Sequence, residues 1–389
     1  MTTTLAPATA AALAEQTIEL PSWAFGNSGT RFKVFGQAGT ARTPFEKVSD
    51  AATVHRYTGL APRVSLHIPW DRIDDYAALA AHAADAGVRI GAVNANLFQD
   101  DDYKLGSLCH PDPGVRKKAV AHHAECVEVM RATGSTDLKL WVPDGTNYAG
   151  QDDIRARQDR LAGSLAEVYA LLDPSMRLLL EYKVFEPYFY TTDVPDWGTS
   201  LLHCLALGER AQVVLDTGHH APNTNIEFIV VQLLRAGRLG AFDFNSRNYA
   251  DDDLMVGAAD PFQLFRIVNE IVGNDALTGA GVNFMLDQCH NIEPKIPAQI
   301  RSVCNVQEAT AQALLVDRAA LARAQSAGDV LGAHEILTDA YRQDVRPLLG
   351  DLRESWGLPR DPFAAYRASG HDQHLAETRV GGEQASWGA

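Results

Sequence analysis

Eight short, almost continuously apolar runs constrain this chain more than anything else in it. They read "ELPSWAF" (19–25), "RVSLHIPW" (63–70), "RIGAVNANLF" (89–98), "LKLWVPD" (138–144), "RLLLEYKVF" (177–185), "AQVVLDTG" (211–218), "LGAFDFNS" (239–246) and "VNFMLDQC" (282–289). A strand that is apolar at nearly every position is covered on both faces, which is the environment of a parallel sheet. Parallel strands need long crossovers, and helical patterns stand between most of the runs. Residues 72–87 put Ile73, Tyr76, Leu79 and Ala83 on one face and stop at Gly87. Residues 153–172 repeat the spacing with Ile154, Leu161, Leu165, Val168 and Leu172. Residues 225–236 and 261–272 do the same, the second opening on Pro261, which suits the first turn of a helix. Eight such units predict an α/β fold, a closed (β/α)8 TIM barrel wound by right-handed crossovers. An open doubly wound sheet is the weaker alternative, because no run is followed by GxGxxG.

The alternation also divides the chain. Residues 1–50 hold the first strand and a loop expected at a subunit contact, and 51–303 hold the catalytic barrel. The strand runs then cease, and 304–369 read as amphipathic helices, an additional C-terminal helical region suited to oligomer contacts. The stretch 370–389, with its Gly, His, Ser and Glu, predicts a flexible tail.

Composition narrows the partners. The 389 residues carry a formal net charge of −15, a field that disfavours nucleic acid and anionic membrane. No apolar run approaches the roughly 20 residues of a membrane helix. The first 18 residues are rich in Ala and Thr without a basic segment, so no signal peptide is expected. The five cysteines, Cys109, Cys126, Cys204, Cys289 and Cys304, are odd in number and show no CxxC pair. Reduced thiols and a cytoplasmic location are the expectation.

Barrel active sites gather at the carboxyl ends of the strands. Runs five to eight each put an acid there: Glu181, Asp216, Asp243 and Asp287. Neighbouring strands would bring these acids to one volume, where bare carboxylates repel and partly protonate. A divalent cation removes that conflict, and oxygen-rich donors of this kind suit Mn2+, Mg2+ or Co2+. His219 follows Asp216 by three residues, and Asp251 and Asp253 point the same way in an extended loop. The chain thus offers ligands for two cations, with Glu181 shared between them. The plain reading of any one of these acids is a turn or a helix N-cap, and "DDD" (251–253) also reads as a helix start. His220 reads as a polar pocket residue rather than a ligand.

Other candidates face the same end. Lys183 stands two residues after Glu181, on the same side of an extended strand. It can bind a substrate oxygen and supply positive charge, or it can be a structural partner of Glu181. His67 can reach a sugar oxygen or aid ring opening, and Trp141 and Phe98 can wall the site or simply fill the barrel.

The motifs "SWAFGNSGTRFKVFG", "SLHIPWD", "LEYKVFEP", "LDTGHHAPN", "FNSRNYADDDL" and "MLDQCHN" together resemble L-rhamnose isomerase, in its bacterial branch of broad aldose specificity, from about residue 19 to 370. The resemblance implies a xylose-isomerase-like barrel, a homotetramer, and two Mn2+ per subunit. It implies one metal on Glu181, Asp216, residue 243 and Asp287, and a second on His219, Asp251 and Asp253, with Glu181 shared. It also implies substrate contacts from Lys183, His67 and Trp141, and a cap from Phe32 over a neighbouring subunit's pocket. One position departs from the family pattern: "FDFN" places Asp243 where the resemblance leads to expect histidine.

The reaction so implied is aldose–ketose isomerisation of L-rhamnose and related sugars. A metal-rich site with few free bases favours hydride shift, with Asp251 and a water, helped by Lys183, moving the hydroxyl proton. Two rivals differ in class. A barrel metallo-hydrolase acting on nucleic acid would want a basic face, against the net charge of −15. A sugar-binding barrel weakened or disabled at Asp243 is the other.

Overall fold

The computed structural model describes residues 6–29, 33–186, 189–246 and 253–379. Its centre is a closed barrel of eight strands: β1 (Glu19–Pro21), β2 (Arg63–Ile68), β3 (Arg89–Ala95), β4 (Asp137–Trp141), β5 (Arg177–Glu181), β6 (Ala211–Asp216), β7 (Leu239–Phe244) and β8 (Asn283–Leu286). Every neighbouring pair is parallel, and β1 closes the ring by pairing with both β8 and β2. Each predicted run thus contains one stave. The first is shorter than its run, because Ser22–Phe25 turns into a 3-10 helix.

Helices α1 (Pro7–Glu15), α2 (Pro44–Thr58), α3 (Tyr76–Asp85), α4 (Pro113–Thr133), α5 (Ile154–Ala170), α6 (Trp197–Leu207), α7 (Ile226–Arg235) and α8 (Pro261–Gly273) follow in chain order. Their starts account for five of the aspartates. Asp75, Asp112, Asp153, Asp196 and Asp260 each accept a hydrogen bond from a backbone N–H in the first turn, the ordinary duty of an N-cap aspartate.

Strand alternation decides what lies inside. Successive side chains point to opposite faces, so residues two apart share one. One of the two faces of β5 to β7 carries Leu179, Val214 and Ala241, a small buried cluster separate from the main core between barrel and helices. Two positions further on, the same face carries Glu181, Asp216 and Asp243. Register sets Asp216 level with Asp243, while Glu181 pairs with Val214, two residues before Asp216. Deeper in, Glu19 accepts bonds from Ala92 N at 2.7 Å and Asn283 Nδ2 at 2.8 Å. A Cβ on Gly91 would sit 2.3 Å from the Glu19 carboxylate, which is why that position takes glycine.

The boundary expected at 303/304 falls inside α9 (Lys295–Leu314), the helix that follows β8 and so completes the eighth unit. The sequence reading marked where strand runs end, and a long buried helix gives no such mark. The helical region beyond it divides into α10 (Arg318–Ser326), α11 (Val330–Tyr341), α12 (Arg346–Ser355) and α13 (Pro362–Ala368). Asp317, Asp329 and Asp361 cap new starts at three of the breaks. The expected tail opens instead with α14 (His371–Thr378). Behind it Arg379 grips both carboxylate oxygens of Asp50, at 2.7 and 2.8 Å. That buried pair ties the end of α14 to α2. No described helix is long and apolar enough to cross a membrane.

Candidate metal and sugar site

The strand-end acids converge. One oxygen from each of Glu181, Asp216, Asp243 and Asp287 lies within 4.8 Å of all the others. Glu181, Asp216 and His219 form a second such set, so Glu181 and Asp216 belong to both. His219 reaches the site because the chain turns sharply after β6. Asp216 Oδ1 accepts bonds from the N–H groups of Gly218 (2.5 Å) and His219 (3.2 Å). Asp216 therefore makes a turn and still faces the cluster. His219 Nδ1 is 3.0 Å from Glu181 Oε1 and 3.2 Å from the Tyr182 carbonyl.

The electrostatics are those of a crowded site. Burial, then the charges of Asp253, Asp216, Asp243 and Glu181, raise the Asp287 carboxyl well above the usual range. Burial lifts Asp243 to about 7, with Lys139 opposing and Glu181 and Asp216 adding to the rise. Side-by-side carboxylates pushed toward their neutral forms are a donor set for an oxygen-seeking divalent cation, and the residues present fit one.

Around the acids runs a wall of rings. Trp23 Nε1 donates to Asp287 Oδ1 at 3.1 Å, and its ring meets His67 edge-on at 5.5 Å. His67 stacks on Trp70 at 3.7 Å and touches Phe98, whose ring lies 5.1 Å from that of Trp141. Trp141 in turn lies 6.1 Å from the His219 ring. The Lys183 ammonium sits 4.8 Å from the Trp141 centroid and donates to Glu186 Oε2 at 2.7 Å. Two polar atoms in this wall, His67 Nδ1 and Trp141 Nε1, are buried without a hydrogen-bond partner among the described residues. Burial, aided by Lys47, lowers the His67 pKa well below its usual value, which favours the neutral ring.

The structure thus brings Glu181, Asp216, His219, Asp243, Asp287, Lys183, His67, Trp141 and Phe98 to one end of the barrel. Asp253 lies beside them: its carbonyl accepts from Cys289 N at 3.1 Å, and its charge bears on Asp287. Asp251 and Phe32 lie outside the described residues. His220 stays out of the acid set and binds the Tyr182 hydroxyl at 2.8 Å. It lines a cleft of about 750 Å3 with Asn223, Asp260 and Arg266, none of which belongs to either set of converging donors.

The structure adds Trp23, Trp70, Glu186 and Lys139. Lys139 donates to both oxygens of Asp243, at 2.8 and 2.7 Å. Its signal was present in the sequence: a charged residue inside an apolar strand, two before Trp141 and so on the same face. The others lie outside the barrel strands, Trp23 in the 3-10 helix Ser22–Phe25, where strand periodicity gives no guide.

Comparison with known proteins agrees with this geometry. A model of the family described as L-rhamnose isomerase (RhaA) matches residues 80–344. A probable sugar isomerase of Rhizobium meliloti is 44% identical over 371 residues, covering 93% of this chain and 86% of that protein. An L-rhamnose isomerase of Rhodopirellula baltica is 25% identical over 324 residues, covering 77% and 73%. Among solved structures, an L-ribulose 3-epimerase superposes with a TM-score of 0.59 at 14% identity, over 78% of this chain and 98% of that one, a likeness of fold.

Proposed function

The chain belongs to the L-rhamnose isomerase family, and from that premise we propose that it is a metal-dependent aldose–ketose isomerase interconverting L-rhamnose and L-rhamnulose, with activity on related aldoses. The observation that carries this reading is the convergence of Glu181, Asp216, Asp243 and Asp287 within 4.8 Å. The proposed cofactor is Mn2+, two per subunit, with Co2+ or Mg2+ able to substitute. Glu181, Asp216, Asp243 and Asp287 would hold one ion, and Glu181, His219, Asp251 and Asp253 the other. When bound, the ions would polarise sugar oxygens and lower the cost of negative charge on them.

The chain's own residues bind, orient and move the proton. Trp141 Nε1 and the neutral His67 supply polar contacts in an otherwise apolar wall, which suits a hydroxylated ligand with one carbon face. Lys183, steadied by Glu186 and by the face of Trp141, offers an ammonium to a sugar oxygen. Hydrogen passes from C2 to C1 as hydride while the O2 hydroxyl proton passes to O1, which turns aldose into ketose in balance. Asp251, with Lys183, carries that proton. Phe32 would cap the pocket of a neighbouring subunit in a homotetramer, and the sugar is the only partner proposed, with neither nucleic acid nor membrane. The proposed compartment is the cytoplasm.

The test is ketose formation from L-rhamnose, L-mannose, L-lyxose, D-allose and L-fucose with Mn2+ present. L-Rhamnulose from L-rhamnose, with deuterium at C2 retained in the product, supports the reading. Full exchange of that deuterium with solvent overturns the hydride shift. The grip of Lys139 on Asp243 favours a second reading, a barrel that binds sugar with weakened or no turnover; bound metal without ketose from any of these sugars would favour it.

A further inference from the structure

Lys139 is placed where nothing in a simple barrel core needs a cation. It stands on β4, and Asp243 on β7, with β5 and β6 between them in the ring. Its Cα is level with Leu179, two residues below the Trp141–Glu181 pair, so its side chain approaches the acids from the barrel floor. The residue is 1% exposed. Its ammonium has three donors, and three acceptors meet it: Asp243 Oδ1, Asp243 Oδ2 and Met285 Sδ at 3.5 Å. It is therefore fixed. Each carboxylate oxygen has two lone-pair directions, so Asp243 can accept from Lys139 below and still present oxygen to an ion above.

Resting on the metal-dependent reading above, we propose that Lys139 is a permanent part of the metal centre: it shares Asp243 with the divalent cation and offsets one carboxylate charge, so that the two residues together act as a single neutral ligand. This accounts for an aspartate standing where the resemblance implies histidine. It also makes the two positions interdependent. Changing Asp243 alone leaves a bare buried ammonium under the ion, and changing Lys139 alone leaves one carboxylate too many.

A charge cycle tests it. Both Mn2+ dissociation constants are measured by competition with a chelating dye for the wild type, Lys139→Met, Asp243→Asn and the double variant. At a few ångströms from the ion, one unit of charge changes affinity by about tenfold or more. Lys139→Met is expected to tighten one constant, Asp243→Asn to weaken it, and the double variant to return within about threefold of wild type, since its charge changes cancel. If Lys139→Met does not fold, recovery of affinity from Asp243→Asn to the double variant decides the matter. A series in which neither constant moves, or no recovery in the double variant, overturns the inference while leaving the isomerase reading intact. A wild type that binds no Mn2+ overturns the reading on which it rests.

Discussion

Two buried acid clusters stand at the same end of this barrel, and they differ in who answers their charge. Cys109, Asp144 and Asp193 lie as close together as the metal-site acids do. Yet Asp144 accepts from Ser107 N (2.7 Å) and Oγ (2.6 Å), and Asp193 receives Arg157 Nε on both oxygens at 2.8 Å. Cys109 donates to both acids, because burial and then the two carboxylates push its thiol pKa far up. This cluster staples three loops together with its own donors. In the barrel cluster Lys139 answers Asp243 alone, and burial, then the charges of four other carboxylates, raise the pKa of Asp287. Acids matched by fixed cations and hydroxyls hold a fold; acids stacked on one another await a cation.

The sharpest way to break this comparison is to neutralise one acid in each cluster. Glu181→Gln is expected to lower turnover by about a thousandfold and to leave the metal-free fold as stable as before, or more so, since it removes repulsion. Asp193→Asn is expected to do the reverse: a loss of about 3 kcal/mol in stability, from a buried guanidinium left with Asp152 at 3.2 Å as its remaining acid, with turnover of the folded fraction changed less than about threefold. Urea unfolding and initial rates on both variants decide it. Equal loss of activity in the two would erase the distinction.

Metal addition sharpens it further. At Mn2+ near 100 times the dissociation constant, the wild type is expected to gain about 2.7 kcal/mol of stability. Asp193→Asn should keep that gain and Glu181→Gln should lose most of it. Chelator dialysis followed by thermal melts with and without Mn2+ measures the difference.

The same contrast marks what the sequence can show. Eight staves and the acids at their ends follow from period-two patterning and apolar runs, which is local information. Asp144 also ends such a run, and nothing local separates it from Asp216. The separation is made by Ser107, from the loop after β3, which donates to Asp144 across 37 positions, and by Arg157, from α5, which holds the neighbouring Asp193. Lys139 was legible in kind, as a charge inside a strand, but its partner lies three staves away. Trp23 reaches Asp287 across 264 positions of sequence, a distance set by barrel closure that periodicity does not record.

A smaller effect distinguishes the clusters by pH. Asp243 folds with a pKa of about 7, above the unfolded value of about 4, so the native state binds protons that the unfolded state has released. Metal-free stability should therefore fall as pH rises from about 4 to about 7. Asp50 and Asp144, each raised to about 6 chiefly by burial, add to that slope with or without metal. Mn2+ needs ionised carboxylates, so it should cancel the part due to the barrel cluster and leave the rest. Stability curves at several pH values, with and without Mn2+, separate the two parts. A slope that ignores Mn2+ would mean that the barrel acids are answered from within, like those of the stapled cluster.

The smallest expected effect concerns the wall rather than the acids. A buried donor without a partner is not in itself a sign of function, since His123 Nε2 inside α4 has none either. Trp141 differs by its neighbours: Phe98, His219 and Lys183 all lie around its ring. Trp141→Phe keeps an aromatic face for Lys183 and removes only the N–H. If that N–H meets a sugar hydroxyl, KM should rise about fivefold, the worth of one ordinary hydrogen bond of about 1 kcal/mol, with kcat nearly unchanged. His123→Phe, the matched change in the other kind of place, should leave KM alone and act on stability. Should KM stay level in Trp141→Phe as well, the indole N–H would be a packing residue's unused donor, and sugar orientation would fall to Lys183 and His67.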